Sequence, residues 1–189
     1  MAKKIIILAA LLVFIGIGFW IYQASKENSV SEESGELNIS KTNQAVLDPK
    51  NCIYLIEGQE VTLRDGYSQV NTVPGSASKV TTQYFGNTAQ GDFNNDGVND
   101  VAFILTQDTE GSGTFYYQAA ALSNSIGCIG TNAILLGDRI APQSSSYTNG
   151  KIVVNYADRN PGEPMTIRPS LGVSKYFTVN NGQLVEENQ

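Results

Sequence analysis

Short apolar runs separated by turn-forming residues occupy most of the chain after residue 50. The runs are rich in Val, Ile, Thr, Tyr and Phe and are bounded by Gly, Asn, Ser or Pro, which is the pattern of β-strands joined by tight turns. Many short strands with this spacing predict a mainly β fold, a compact antiparallel sandwich or barrel. The predicted strands are 52–56, 60–63, 78–85, 101–106, 114–122, 133–137, 144–147, 151–156, 176–179 and 183–185.

Several connections carry specific turn signals. Asn149-Gly150 and Asn181-Gly182 each lie between two predicted strands, and an Asn-Gly pair is a strong local signal for a type I′ β-hairpin. Residues 57–59, with the sequence Glu-Gly-Gln, predict another tight hairpin. The segment 157–171 contains three prolines, which remove backbone donors and fix φ, so a loop is predicted there.

A different pattern marks the N-terminal part of the chain. Lys3 and Lys4 precede residues 5–22, eighteen residues without a charge, which as a helix would span roughly the hydrocarbon core of a membrane. An uncleaved anchor, residues 1–22, is favoured over a cleaved signal peptide, because cleavage after Ala24 would place a large tyrosine at position −3. The two lysines before the span predict a single-pass cell-membrane protein whose C-terminal part is extracytoplasmic.

The remainder divides into a stalk and one domain. Residues 23–46 are rich in Ser, Glu and Asn without a strand or helix period, which predicts a flexible stalk. Residues 47–189 are long enough for one core and predict a single extracytoplasmic β domain. Beyond Lys4 the chain has ten basic and eighteen acidic residues, a net charge of −8. A field of this sign disfavours nucleic acid and anionic lipid as partners and favours cations.

Two cysteines, Cys52 and Cys128, lie in the predicted extracytoplasmic part. An even number of cysteines in an oxidising compartment favours a disulfide over two buried free thiols. No Cys-x-x-Cys pattern is present, so neither a redox pair nor a cysteine-based metal site is indicated.

The segment from Gly91 to Phe103, GDFNNDGVNDVAF, places oxygen-bearing side chains at alternating positions around one glycine. Hard cations such as Ca²⁺ take about six to eight oxygen ligands, and a tight loop can supply them from alternate side chains and one backbone carbonyl. The alternative is a Gly/Asn/Asp turn without a metal. The predicted ligands of one Ca²⁺ ion are Asp92, Asn94, Asp96, Asp100 and the carbonyl of Val98.

This loop differs from an EF-hand, because Phe103 stands where the final bidentate glutamate would be and because residues 101–105 have the apolar pattern of a buried strand. Together with the upstream sequence YFGNTA, residues 84–105 resemble the FG-GAP repeat, the calcium-loop hairpin of integrin-type propeller blades. A propeller would need about four to eight blades, and the chain has one such motif. One calcium-loop hairpin within a small β domain is therefore predicted.

Further segments carry a second resemblance. They are YLIEG at 54–58, GSGTFYY at 111–117, GTNAILLGDRIAPQ at 130–143, NYADR at 155–159 and PM at 164–165. Over most of residues 50–185 the domain is similar to a group of uncharacterised bacterial envelope proteins. This resemblance implies an envelope location and no particular activity.

Histidine is absent, which excludes Ser-His-Asp and Cys-His catalysis and histidine-based zinc sites. Carboxylate chemistry remains, as in glycoside hydrolases, and the candidate pairs are Asp138-Arg139 and Asp158-Arg159. Ion pairs that hold loops explain these pairs more simply. The aromatic run 115–117 could stack on a sugar, but alternating burial in a strand is the simpler explanation.

The leading hypothesis is a membrane-anchored, calcium-binding β domain with a binding or structural role at the cell surface, where a protein or a glycan would be its partner. One alternative is a surface hydrolase that acts on wall glycans through paired carboxylates. Another is an accessory subunit of an envelope assembly, which would present an exposed apolar patch.

Overall fold

The computed structural model describes residues 47–111, 113–125 and 127–188. The predicted anchor, 1–22, and the predicted stalk, 23–46, lie outside the described residues, so both stay predictions. Within the described ranges, no helix is long and apolar enough to cross a membrane.

Strands make up most of the described chain, as the apolar pattern predicts. A short 3₁₀ turn, Pro49–Asn51, precedes them, and the Asp48 side chain caps it by accepting a hydrogen bond from the Lys50 N–H at 3.0 Å. The strands of the described ranges are β1 Ile53–Ile56, β2 Gln59–Thr62, β3 Tyr67–Asn71, β4 Lys79–Gly91, β5 Asp100–Asp108, β6 Thr114–Asn124, β7 Gly127–Gly130, β8 Asn132–Asp138, β9 Ala141–Thr148, β10 Lys151–Asp158, β11 Leu171–Asn180 and β12 Gln183–Glu187.

The strands form two sheets. The large sheet has the order β2-β1-β8-β6-β5-β4-β3, with β7 paired to the second half of β6, and the small sheet has the order β12-β11-β10-β9. Neighbouring strands run antiparallel, as predicted, except that β1 and β8 pair in parallel through Leu55–Asn132 and Ile56–Ala133. This pair joins the first hairpin to a strand far along the chain, so local turn signals do not specify it.

The first core lies between the two sheets. Ala102 and Ile104 of β5 and Ala120 and Leu122 of β6 face it from the large sheet. Burying the Ile104 or Leu122 side chain stabilises the fold by about 1.5–3 kcal/mol relative to leaving it exposed. The small sheet contributes Ile152, Val154, Tyr156, Phe177 and Leu184.

The opposite face of the central strands is buried as well. Phe103, Leu105 and Tyr117 belong to a second core, and the large sheet curls so that its own β1–β2 hairpin covers that core with Tyr54, Ile56 and Val61. Because β5 is covered on both faces, its sequence is a continuous apolar run instead of an alternating one.

The predicted hairpins are present. Asn149-Gly150 connects β9 to β10 and Asn181-Gly182 connects β11 to β12, with φ of 51° and 74° in the first pair and 50° and 74° in the second. Positive φ at both positions is what a type I′ turn requires. The first hairpin is tighter than predicted, because Glu57-Gly58 make the turn and Gln59 already pairs with Ile56.

The apolar pattern does not predict β3 or β7. The sequence of β3, YSQVN, is mostly exposed, and β7, GCIG, contains two glycines. Each is held by pairing with a longer neighbour, β3 with β4 and β7 with β6. Strand formation at such sites depends on the partner strand more than on intrinsic propensity.

Cys52 and Cys128 form a disulfide, which confirms the predicted bond. Their Cα atoms are 5.9 Å apart, and the bond connects the residue just before β1 to β7 across 76 positions. Next to it, Gly130 of β7 lies against the backbone carbonyl of Ile53 and the ring of Tyr54. A covalent bond and a close backbone contact therefore hold β7 against β1.

Candidate metal site between β4 and β5

The predicted calcium loop connects two strands in the middle of the large sheet. β4 ends at Gly91 and β5 begins at Asp100, and these two residues pair with each other. Within the loop, Asn95 has φ of 61° and Gly97 has φ of 85°. Glycine and asparagine adopt this left-handed conformation with the least strain, so their positions allow the tight turn.

Three predicted ligands, Asp92, Asn94 and Asp96, lie around this turn. The Asp96 N–H donates to Asp92 Oδ1 at 3.0 Å and to Asn94 Oδ1 at 3.1 Å. Two oxygens that share one donor lie within about 6 Å of each other. Asp92 Oδ2 accepts from the Gly97 N–H at 2.9 Å, and Asp96 Oδ1 accepts from the Val98 N–H at 2.8 Å. The turn thus gathers side-chain oxygens over its own backbone donors.

The fourth predicted side-chain ligand, Asp100, is fully buried behind the loop. Its Oδ2 accepts from the Phe93 N–H and its Oδ1 from the Ser123 N–H, both at 2.9 Å. Asp100 therefore ties the loop to the end of β6. Burial raises the pKa of this carboxyl, two backbone hydrogen bonds oppose the rise, and repulsion from Asp96 and Asp92 adds to it.

The charges of the loop are not balanced by ion pairs. In the described ranges, no Lys or Arg forms a salt bridge with Asp92, Asp96 or Asp100. The same ranges contain no group of three or more His, Cys, Asp and Glu side chains that could hold a metal ion by themselves. The predicted set also uses the Asn94 amide and the Val98 carbonyl. Oxygen donors of this kind fit a hard cation and not a thiophilic one.

The loop packs against the small sheet through aromatic residues. Phe93 is buried with its ring centroid 4.9 Å from that of Tyr147 in β9, and the Tyr147 hydroxyl donates to the Asp92 carbonyl at 2.8 Å. A Cβ at Gly91 would overlap the Tyr147 ring. The sequence gives no local signal for Tyr147, because it lies 55 positions from Asp92 in a polar strand and no motif links the two.

The acid–arginine pair at the end of β8 is a structural anchor. Arg139 Nη2 lies 2.9 Å from Asp138 Oδ2, and Asp138 Oδ1 accepts from the Thr114 N–H at 3.0 Å. The Arg139 N–H in turn donates to the Thr114 carbonyl at 2.8 Å. These contacts hold the end of β8 against the start of β6.

The second pair contacts the first at the same corner. Arg159 Nη1 donates to the carbonyl of Arg139 at 3.0 Å, and Arg159 Nε donates to the carbonyl of Ile167 at 2.7 Å. Asp158 Oδ1 accepts from the Arg159 N–H at 2.7 Å. The guanidinium thereby holds the proline-containing loop to the end of β8. Since these groups hold backbone, the geometry offers the glycoside hydrolase hypothesis no support.

Comparisons with protein-family models, with curated proteins and with solved structures find no match for this chain. The resemblances to the FG-GAP repeat and to bacterial envelope proteins therefore stay predictions from the sequence.

Proposed function

We propose that this protein is a membrane-anchored, extracytoplasmic β domain that binds one Ca²⁺ ion between β4 and β5 and has a binding or structural role at the cell surface. The observation that supports calcium binding most directly is the convergence of Asp92, Asn94 and Asp96 on one turn without a basic partner among the described residues. The apolar segment 5–22 supports the anchor.

In this proposal the ligands are not equivalent. Asp92, Asn94 and Asp96 would bind the ion through side-chain oxygens, and Val98 would bind it through its carbonyl. Asp100 would hold the loop from inside, since its side chain is fully buried and both of its oxygens accept backbone hydrogen bonds, and would add negative charge close to the ion.

Binding would stabilise the fold. The bound ion would offset the repulsion among the carboxylates, and the unfolded chain does not gather these ligands, so the binding free energy adds to the free energy of unfolding. Because the loop contacts Tyr147 of β9, part of this stabilisation would reach the contact between the two sheets.

The decisive experiment is a calorimetric titration of Ca²⁺ into the full-length, chelator-stripped protein in mild detergent, with thermal melts in calcium and in chelator. We expect saturable binding at one site and a higher melting temperature in calcium. Calcium at about 100 times its dissociation constant would stabilise the protein by about 2.7 kcal/mol.

The Asp96→Ala variant tests the site. We expect it to lower the melting temperature more in calcium than in chelator, because the variant loses the ion as well as the hydrogen bond that Asp96 accepts from the Val98 N–H. Glu60→Gln is the matched control, since Glu60 is an exposed acidic residue on β2, and it should keep the full response to calcium. An equal loss of stability in calcium and in chelator for Asp96→Ala would contradict the proposal.

A further inference from the structure

A second candidate site lies at the other end of β4 and β5. A cavity of about 510 Å³ opens there. Its lining includes Thr81 and Gln83 of β4, Thr106 and Asp108 of β5, Glu110 of the β5–β6 turn and Thr114 of β6. We call this cavity the polar groove. Its lining consists of hydroxyl, amide and carboxylate groups, unlike the apolar cores on either side of the sheet.

Strand register places the groove residues on one face. Thr81 pairs with Asp108, Gln83 pairs with Thr106, and Asp108 pairs with Thr114. Side chains of paired residues stand next to each other on the same face of a sheet. This face also carries Ala102 and Ile104, two positions apart along β5, which the small sheet covers. The groove is therefore the part of that face that extends past the small sheet.

An aromatic pair borders the groove. Tyr116 pairs with the groove residue Thr106 across the β5–β6 ladder. Its ring meets Phe85 of β4 edge to face, with centroids 5.5 Å apart and an interplanar angle of 74°. Phe85 is 49 % exposed, although it lies on a long strand of the central sheet. Part of its aromatic ring is therefore open to solvent beside polar groups.

The groove residues retain hydrogen-bonding capacity. Within the described ranges, no group forms a hydrogen bond with the Gln83 amide or with the hydroxyls of Thr106 and Thr114. Asp108 Oδ1 accepts from the Glu110 N–H at 2.7 Å, and Glu110 Oε2 accepts from the Lys79 N–H at 3.0 Å. One oxygen of each carboxylate thus stays open to a ligand. The groove offers donors and acceptors together.

These features select a class of ligand. The two carboxylates disfavour anions, and the polar lining disfavours an apolar ligand, which needs mostly hydrophobic walls. A neutral sugar presents many hydroxyls for the threonines, the amide and the carboxylates, and it has an apolar face that can lie on an aromatic ring. We propose that the polar groove binds a neutral oligosaccharide.

This site is separate from the proposed calcium loop. Gln83 pairs with Thr106 and Gly91 pairs with Asp100, so the two sites are six positions apart along β5, which corresponds to about 20 Å. Saccharide affinity should therefore be the same in calcium and in chelator, and Asp96→Ala should not change it. Failure of calcium binding and failure of saccharide binding are thus distinguishable.

The test is a calorimetric titration of the full-length protein with two neutral probes, the tetramer of N-acetylglucosamine and the tetramer of glucose. We expect saturable binding of at least one tetramer. Gln83→Ala removes an amide that points into the groove, and Phe85→Leu removes the flat ring while keeping an apolar side chain. Each variant should weaken binding by about tenfold, equivalent to about 1.4 kcal/mol.

Gln90→Ala is the matched control, because Gln90 is an exposed glutamine of the same strand near the calcium loop, and its affinity should equal that of the wild type. Thermal melts confirm that each variant is folded. The proposal is overturned if neither tetramer binds at about 10 mM, where even a millimolar dissociation constant would be detected. It is also overturned if Gln83→Ala and Phe85→Leu bind like the wild type, or if Gln90→Ala loses as much affinity as they do.

Discussion

At the scale of single residues, the buried tyrosines show how this core accommodates polar groups. The hydroxyl of Tyr54 donates to the Pro49 carbonyl at 2.7 Å, and that of Tyr156 donates to the Leu136 carbonyl at 3.1 Å. A buried hydroxyl with a partner adds about 1 kcal/mol, whereas one without a partner would destabilise the fold. Burial, with smaller contributions from Asp158 and Glu186, raises the pKa of Tyr156 to about 12.

This shift predicts a loss of stability in alkali. The pKa of Tyr156 is higher in the folded than in the unfolded protein, so its contribution is fully present below pH 10.0 and is lost as the pH rises through about 12. Two pKa units correspond to about 2.7 kcal/mol. Tyr156→Phe should be less stable than the wild type by about 1 kcal/mol near neutral pH. The difference should vanish near about pH 11 and reverse at higher pH, because only the wild type loses this contribution.

Urea unfolding of both proteins at about pH 8 and about pH 11 measures this difference. Burial also raises the pKa of Tyr54 and of Tyr117. Their effect on the free energy of unfolding is the same in both proteins, so the difference between the two proteins reports on Tyr156. A difference that stays constant with pH would show that the Tyr156 hydroxyl does not titrate differently in the two states.

At the scale of elements, the contact of β7 with β1 depends on the absence of a side chain. A Cβ at Gly130 would overlap the Ile53 carbonyl and the Tyr54 ring, and a backbone carbonyl within a paired strand cannot move aside. A Cβ at Gly91 would likewise overlap the Tyr147 ring. Both glycines are needed because another element lies directly against their backbone.

Gly130→Ala should therefore lower the free energy of unfolding by about 2 kcal/mol. Gly172→Ala is the control, because Gly172 is an exposed strand glycine of β11 with open space around it, and the change should stay within about 0.5 kcal/mol. Chemical denaturation measures both values. Equal effects at the two positions would show that the contact between β7 and β1 does not restrict Gly130.

At the scale of the whole molecule, the central strands link three layers. The small sheet lies on one face of β5 and β6, the β1–β2 hairpin lies on the other, and the disulfide connects that hairpin to β7. Closing a segment of 76 positions restricts the unfolded chain and stabilises the fold by about 4 kcal/mol in the chain-entropy view.

The double variant Cys52→Ser/Cys128→Ser should lose about 2–5 kcal/mol of unfolding free energy. The wild type should show a similar loss in reductant, while the double variant should not respond to reductant. If reductant destabilises both proteins equally, the effect does not come from this bond.

The amino-acid sequence by itself determined the mainly β fold, the Asn-Gly hairpins, the identity of the disulfide partners and the clustering of oxygen-bearing side chains between β4 and β5. These features depend on residues a few positions apart, or on a cysteine count that allows one intramolecular pair. Tertiary structure decided the parallel pairing of β1 with β8, the inward position of Asp100, the contact of Tyr147 with the loop and the polar groove. Each of these features joins side chains or backbone from strands far apart in the sequence. Hydrophobic periodicity predicts local secondary structure and does not predict which distant strands come together.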